Sequence, residues 1–121
     1  MKKILIAMQH NLQQGQTEEL LESGFQPTES EAFNALKPEL SNINFDADLH
    51  ELADKFVSLL EEEKFDAVLL PIGSPAFNFV LAQELAQTNI QVLFAHSQRL
   101  VTLADDGSKN VVFVHQGFIF L

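Results

Sequence analysis

Three stretches of the chain are apolar, the first unbroken and the third interrupted only by Gln91. Residues 4–8 read Ile-Leu-Ile-Ala-Met between polar neighbours, residues 67–72 read Ala-Val-Leu-Leu-Pro-Ile, and residues 90–95 read Ile-Gln-Val-Leu-Phe-Ala. Runs of this length, apolar on both alternating faces, suit strands covered on both sides of a sheet. Between Ala67 and Leu103 the only formal charges are Glu84 and Arg99, so this part of the chain is expected to form the interior.

Helical spacing fills the gaps. Leu49, Leu52, Ala53, Phe56, Leu59 and Leu60 recur at i, i+3 and i+4, which predicts a helix over Ala47–Glu63 capped by Asp46 or Asp48. A shorter helix is expected from Thr17 to Glu22, with its acids near the positive end of the dipole. Ser74-Pro75 is a cap followed by proline at the first helical position, opening a helix to Ala86 or Gln87. Phe25-Gln26-Pro27 reads as a short edge strand, and Glu31–Leu36 as a helical turn that stops before Lys37-Pro38. Near the end, Leu100–Leu103 and Val111–Val114 flank Asp105-Asp106-Gly107-Ser108, the pattern of a hairpin with a glycine in its turn.

Strands alternating with helices imply parallel pairing. The expected class is α/β: one Rossmann-like domain over residues 1–121, its mostly parallel sheet flanked by helices and extended by a C-terminal hairpin. The helix after Ser74 is apolar all round, with Phe77, Val80, Leu81 and Leu85 on one side and Ala76, Phe79, Ala82 and Ala86 on another. Such a helix needs two partners. One is its own sheet. The other is a second subunit in a two-fold dimer, or else the hairpin or the 25–45 segment.

Composition narrows the function. With no cysteine, disulfide scaffolds, thiolate catalysis and cysteine-based zinc sites are excluded. The net charge is −10, of which residues 1–64 carry −8. Nonspecific binding to duplex DNA or an anionic membrane is not expected, because the cations that would release counterions are missing. No segment reads as membrane-spanning, and the Met1-Lys2-Lys3 start precedes an apolar run too short for a signal peptide, so a cytoplasmic protein is expected.

In open α/β sheets, ligands bind beyond the carboxyl ends of the strands. Here those ends read Gln9-His10-Asn11, Gly73-Ser74-Pro75 and His96-Ser97-Gln98-Arg99. The candidate catalytic residues are His10, Ser97 and Arg99. The candidate ligand-binding residues are Gln9, Asn11, Gly73, Ser74, Pro75, His96 and His115. Gly73-Ser74 at a helix start resembles a phosphate cradle, with Gly73 leaving room at the backbone. It is neither a dinucleotide fingerprint nor a Walker loop, so NTP hydrolysis is not expected. No aspartate ends the first or middle strand, which argues against a phospho-accepting receiver. Arg99, the only arginine, offers a planar fork for phosphate, the alternative being an ion pair with one of the seventeen acids. His10, His96 and His115 lie on different elements at no metal-ligand spacing, so no metal or other cofactor is expected. His115, mid-strand in the hairpin, also reads as a partly buried structural histidine.

The chain resembles a CRISPR-associated small-protein family of the Csx type, found with type III systems and related to CARF domains. The resemblance is carried by His10-Asn11-Leu12 with its continuation to Gln16, Leu70–Phe77, Phe94–Arg99, Asp106-Gly107-Ser108 and Val112–His115, in family order. It implies a CARF-like fold that binds a cyclic oligoadenylate messenger, cyclic tetra-adenylate foremost, across a homodimer. It further implies a ring nuclease that cleaves the messenger without metal, by 2′-hydroxyl attack, and so switches off antiviral signalling. The alternative is a protein that binds the messenger without cleaving it. In this reading Arg99 stabilises the phosphorane, His10 is base or acid, and Ser74 with the amides after Gly73 holds a neighbouring phosphate. The chain departs from the family pattern at Val114-His115-Gln116-Gly117, where no arginine accompanies the histidine.

Overall fold

The computed structural model describes residues 1–121. Five strands, β1 (Lys2–Ile6), β2 (Phe25–Pro27), β3 (Ala67–Leu70), β4 (Gln91–Leu103) and β5 (Lys109–Phe120), alternate with four helices, α1 (Gln14–Glu22), α2 (Glu31–Ser41), α3 (Leu49–Glu62) and α4 (Pro75–Leu85). The strands form one sheet in the order β2-β1-β3-β4-β5. All neighbours are parallel except β5, which runs antiparallel to β4. The three apolar runs are thus parallel neighbours in a mixed α/β protein, as expected.

The sheet separates two cores. Leu5, Ala7, Val68, Leu70 and Val92 face α2, α3 and α4. Ile4, Ala67, Leu69 and Leu93 face the other way, toward Leu20 of α1 and Phe25. Successive residues of a strand point to opposite faces, so an unbroken apolar run supplies both cores at once. α3 buries the predicted stripe Leu52, Ala53, Phe56 and Leu60. The Asp48 carboxylate accepts from the amides of His50 and Glu51, both at 3.1 Å, and so caps it. The sheet curls around its α1 face, bringing Phe120 of one edge strand within 5.9 Å of Phe25 on the other.

Several boundaries differ from the sequence reading. β1 begins at Lys2 because β2 recruits it, Lys2 pairing with Phe25. α1 begins at Gln14, with Gln16 Oε1 accepting from the Gln13 amide, so Glu18 and Glu19 fall beyond its first turn. α2 passes through Pro38 and ends at Ser41. Proline forfeits one backbone bond there, while Phe33 and Leu40, buried on either side of it, hold the helix to the core. The largest change is in β4. It does not stop at Ala95, because His96–Arg99 stay in strand conformation and run directly into the hairpin. β4 and β5 together form a long two-stranded arm closed by the turn at Asp105–Ser108. No helix of the chain is long and apolar enough to cross a membrane.

Candidate functional site

The carboxyl edge of the sheet carries a cleft of about 340 Å³ lined by Met8, His10, Asn11, Gln13, Gln16, Pro71, Ala95, Ser97, Phe113 and His115. It lies over the ends of β1, β3 and β4 on the α1 side. β1 leads through α1 to one edge of the sheet, and β3 leads through α4 toward the other, so the cleft sits where the strand order reverses. That switch point is the favoured ligand position of open α/β sheets.

Of the expected site residues, His10, Asn11, Ser97 and His115 meet in this cleft. The others do not all join them. Gly73 and Pro75 line a separate, mostly apolar cavity of about 610 Å³ beside α4, with Phe79, Phe94 and Leu121. Ser74 Oγ accepts from the Phe77 amide at 3.2 Å and is engaged as the α4 cap. The room a Cβ would need on Gly73, at φ +67°, is taken by the Leu40 carbonyl oxygen at 2.3 Å. The missing side chain there admits the backbone of α2. Gln9 is exposed and outside the cleft lining. His96 alternates with Ala95 and Ser97 and so projects from the opposite face of the sheet, which separates it from His10 and His115.

Arg99 stands on the arm. Cross-strand pairing sets Ser97 opposite His115 and Arg99 opposite Phe113. Directly opposed residues share a face, so Arg99 projects on the cleft side, one pair beyond Ser97. The close contacts between basic and acidic side chains are His50–Glu84, Lys55–Glu39 and His115–Glu19, and Arg99 belongs to none of them.

His115 is held from both ring nitrogens. Gln16 Nε2 lies 3.1 Å from Nδ1, and Glu19 Oε2 lies 3.0 Å from Nε2. A carboxylate only accepts, so Nε2 carries the proton, and Nδ1 accepts from the Gln16 amide. Gln16 Oε1 in turn accepts from the Gln13 amide, which fixes the orientation of that side chain. The chain of bonds clamps α1 to β5 and leaves the histidine ring facing the cleft. A shift of register at His96/Ser97 places His115 opposite Ser97. The signal for the clamp is the i, i+3 spacing of Gln13, Gln16 and Glu19 on one face of α1.

Asn78 also escaped the sequence reading. It is buried, accepts from the Ile72 amide at 3.0 Å, and donates to the carbonyls of Ile72 and Ser74 at 2.7 and 2.8 Å. It clasps the loop between β3 and α4 that supplies Pro71 to both cavities.

No carboxylate lines the cleft. Glu19 sits behind His115, its Oε2 accepting from the ring Nε2–H. By contrast, a groove of about 750 Å³ between α3 and α4 is lined by Asp54, Glu61 and Glu84. There, partial burial and the neighbouring Asp54 carboxylate push Glu84 above its ordinary range, against a smaller pull from His50.

Fold and site together define a mixed α/β protein with a small polar cleft, free of acids, at the switch point of its sheet. The sequence signature of the uncharacterized protein MJ1673 family matches residues 2–119, and the chain belongs to that family. No curated protein matches the chain.

Proposed function

We propose that the protein is a Rossmann-like, CARF-like binder of cyclic oligoadenylate that acts as a metal-independent ring nuclease of type III CRISPR signalling. The observation that carries the reading is the cleft itself. Two histidines, Asn11 and Ser97 gather at the sheet's switch point without a lining carboxylate, and the only arginine shares their face of the arm. The resemblance of the His10–Gln16, Leu70–Phe77 and Phe94–Arg99 segments to the Csx-type family supplies the ligand class.

At about 340 Å³ the cleft is at the small end of ligand sites and has room for about one nucleotide. A ring of four nucleotides exceeds one such cleft, and across a homodimer the two clefts take two of them while the rest of the ring lies outside the clefts. In the reaction, the 2′-hydroxyl oxygen attacks the adjacent phosphorus and the bond to the 5′ oxygen breaks. The products are a 2′,3′-cyclic phosphate and a 5′-hydroxyl. His10, exposed at the cleft, takes the hydroxyl proton or returns one to the leaving oxygen. Arg99 offers its fork to the charge that builds on the phosphorane oxygens. Ser97 and Asn11 are the polar groups at hand to orient the ribose. His115 has both nitrogens engaged and acts as a positioning residue.

A second reading, binding without cleavage, is favoured by that same engagement of His115 and by the absence of a basic residue beside it. The test is to incubate the protein with cyclic tetra-adenylate in the presence of a chelator and follow the products by mass spectrometry. Linear products ending in 2′,3′-cyclic phosphate support the nuclease. Binding without products selects the second reading, and neither binding nor products removes both.

A further inference from the structure

The Gln16 side chain is bonded at both ends of its amide. Its Nε2 donates to His115 Nδ1 at 3.1 Å, and its Oε1 accepts from the Gln13 backbone amide at 3.0 Å, tying down the residue before α1. On the far side of the ring, His115 Nε2 donates to Glu19 Oε2 at 3.0 Å. We infer that Gln16 is a proton-sensitive switch: a proton arriving on His115 Nδ1 breaks the tie between Gln16 and Gln13 and loosens the start of α1. The switch needs only these hydrogen bonds, whatever the cleft binds.

Donors and acceptors decide the outcome. A neutral imidazole has one donor and one acceptor, whereas an imidazolium has two donors and no acceptor. Glu19 suits both forms, because a carboxylate accepts in either case. Gln16 suits the neutral form alone, since its NH₂ group facing a protonated Nδ1 sets donor against donor. Turning the amide over brings Oε1 to Nδ1–H, but it then sets the NH₂ group against the Gln13 N–H, which is also a donor. The two donors stand at opposite ends of the amide, so one oxygen does not serve both. Swinging the side chain away forfeits both bonds. In each case the Gln13 amide loses its partner.

The consequence reaches the cleft. Gln13 and Gln16 line it, together with His10 and Asn11 from the segment that joins β1 to α1. That segment is anchored by β1 at one end and by the start of α1 at the other, so release of Gln13 loosens the wall that carries His10.

The charges around His115 both help and oppose the proton. Glu19, on α1, favours it. His10 shares the cleft, Arg99 projects on the same side of β4, and the positive end of α1 lies close by, and these oppose it. Of the other acids on α1, Glu18 is engaged with Gln14 Nε2 at 3.3 Å, and Glu22 is exposed a turn beyond Glu19. Lys109 of β5 stands at the turn end of the arm, away from the ring. Histidine is the side chain that ordinarily changes charge between about pH 5 and 8, the range to search.

The test is nuclear magnetic resonance of the ¹⁵N-labelled protein from about pH 8 to 5. The Gln13 backbone amide and the Gln16 side-chain NH₂ should shift with the midpoint of the His115 ring. Protection of the Gln13 amide from hydrogen exchange should fall about fivefold over the same step, as for a lost cap. His115→Phe keeps a ring against Phe118, which lies at 4.9 Å, and should abolish the step. Gln16→Glu accepts at both ends, so His115 should still titrate while Gln13 keeps its protection. His10→Ala should leave the step in place. Circular dichroism shows which variants are folded, and Gln16→Glu decides the matter if His115→Phe is not. Constant protection at Gln13 while His115 titrates overturns the inference. So does a step that survives Gln16→Glu or His115→Phe, one that disappears in His10→Ala, or a His115 ring that keeps a single form throughout.

Discussion

Replacing Gly73 with alanine separates two roles for that glycine, room for a ligand and room for α2. Gly73 has φ +67°, and an added Cβ would stand 2.3 Å from the Leu40 carbonyl oxygen and 3.6 Å from Ile43 Cδ1. The left-handed backbone alone costs an L-residue about 1–2 kcal/mol. The contact with Leu40 is to backbone at the end of a helix whose side chain is buried, so it is relieved only by moving α2. Overpacking of that kind costs about 1–3 kcal/mol. The expected loss for Gly73→Ala is therefore about 2–5 kcal/mol in total. Gly107 is the internal control: its φ is +84°, but nothing lies within 4 Å of its added Cβ. Gly107→Ala should lose only the backbone term, about 1–2 kcal/mol. Urea titrations of both variants, fitted with a common slope, measure the difference. Equal losses would show that the Leu40 carbonyl is not in the way. A Gly73→Ala protein of wild-type stability with weakened nucleotide binding would return the glycine to the ligand and refute the packing role.

His115→Ala should cost about 1–3 kcal/mol, because it leaves Gln16 and Glu19 without their partner; unchanged urea stability would mean that the α1–β5 clamp contributes nothing. Arg99→Ala should weaken binding of cyclic tetra-adenylate about ten- to a hundredfold per contact without changing stability, and Arg99→Lys should restore it only in part. Calorimetric titration reads both, and unchanged affinity would remove Arg99 from the site. Glu84 is pushed above 4.5 by partial burial and by Asp54, so its ionised form opposes folding. Glu84→Gln should stabilise the protein at pH values above the raised one, with the gain fading as pH falls toward 4.5; a gain independent of pH would refute that origin.

The parallel centre of the sheet was legible because two-sided burial leaves a plain trace, an apolar run with no alternation. The α4 start was legible because Ser74-Pro75 satisfies two local rules at once. The extent of β4 was not. His96-Ser97-Gln98-Arg99 looks like a loop because it is polar, yet polarity reports exposure and not backbone conformation. On an arm that leaves the body, a strand is exposed on both faces, so polar and apolar residues follow one another without a period. The same ambiguity misplaced His96. Reading the segment as a loop put all four residues at one edge, whereas strand alternation sends Ser97 and Arg99 to one face and His96 to the other. The clamp of His115 to Gln16 spans 99 positions of sequence, and only the curl of the sheet brings the two together.

Net charge alone says little about where an anion can sit on this chain, and the cavities decide it. A carboxylate about 4 Å from a bound anion costs on the order of 4 kcal/mol at the effective dielectric of a protein surface. The roomiest groove, between α3 and α4, presents Asp54, Glu61 and Glu84 and is closed to phosphate on that ground despite its volume. The apolar cavity beside α4 has no cation, and its one serine neighbour, Ser74, is spent on a cap. The cleft at the switch point is the smallest of the three, but its polar groups are amides, a hydroxyl and imidazoles, and the nearby Glu19, bonded to His115 Nε2, is not among its lining residues. Arg99 and Lys109 project on its side of the arm, while the acids of residues 1–64 lie on other elements. For an anionic ligand of the proposed kind, the selection is by exclusion: the groove presents three acids that repel it, and the cleft presents none.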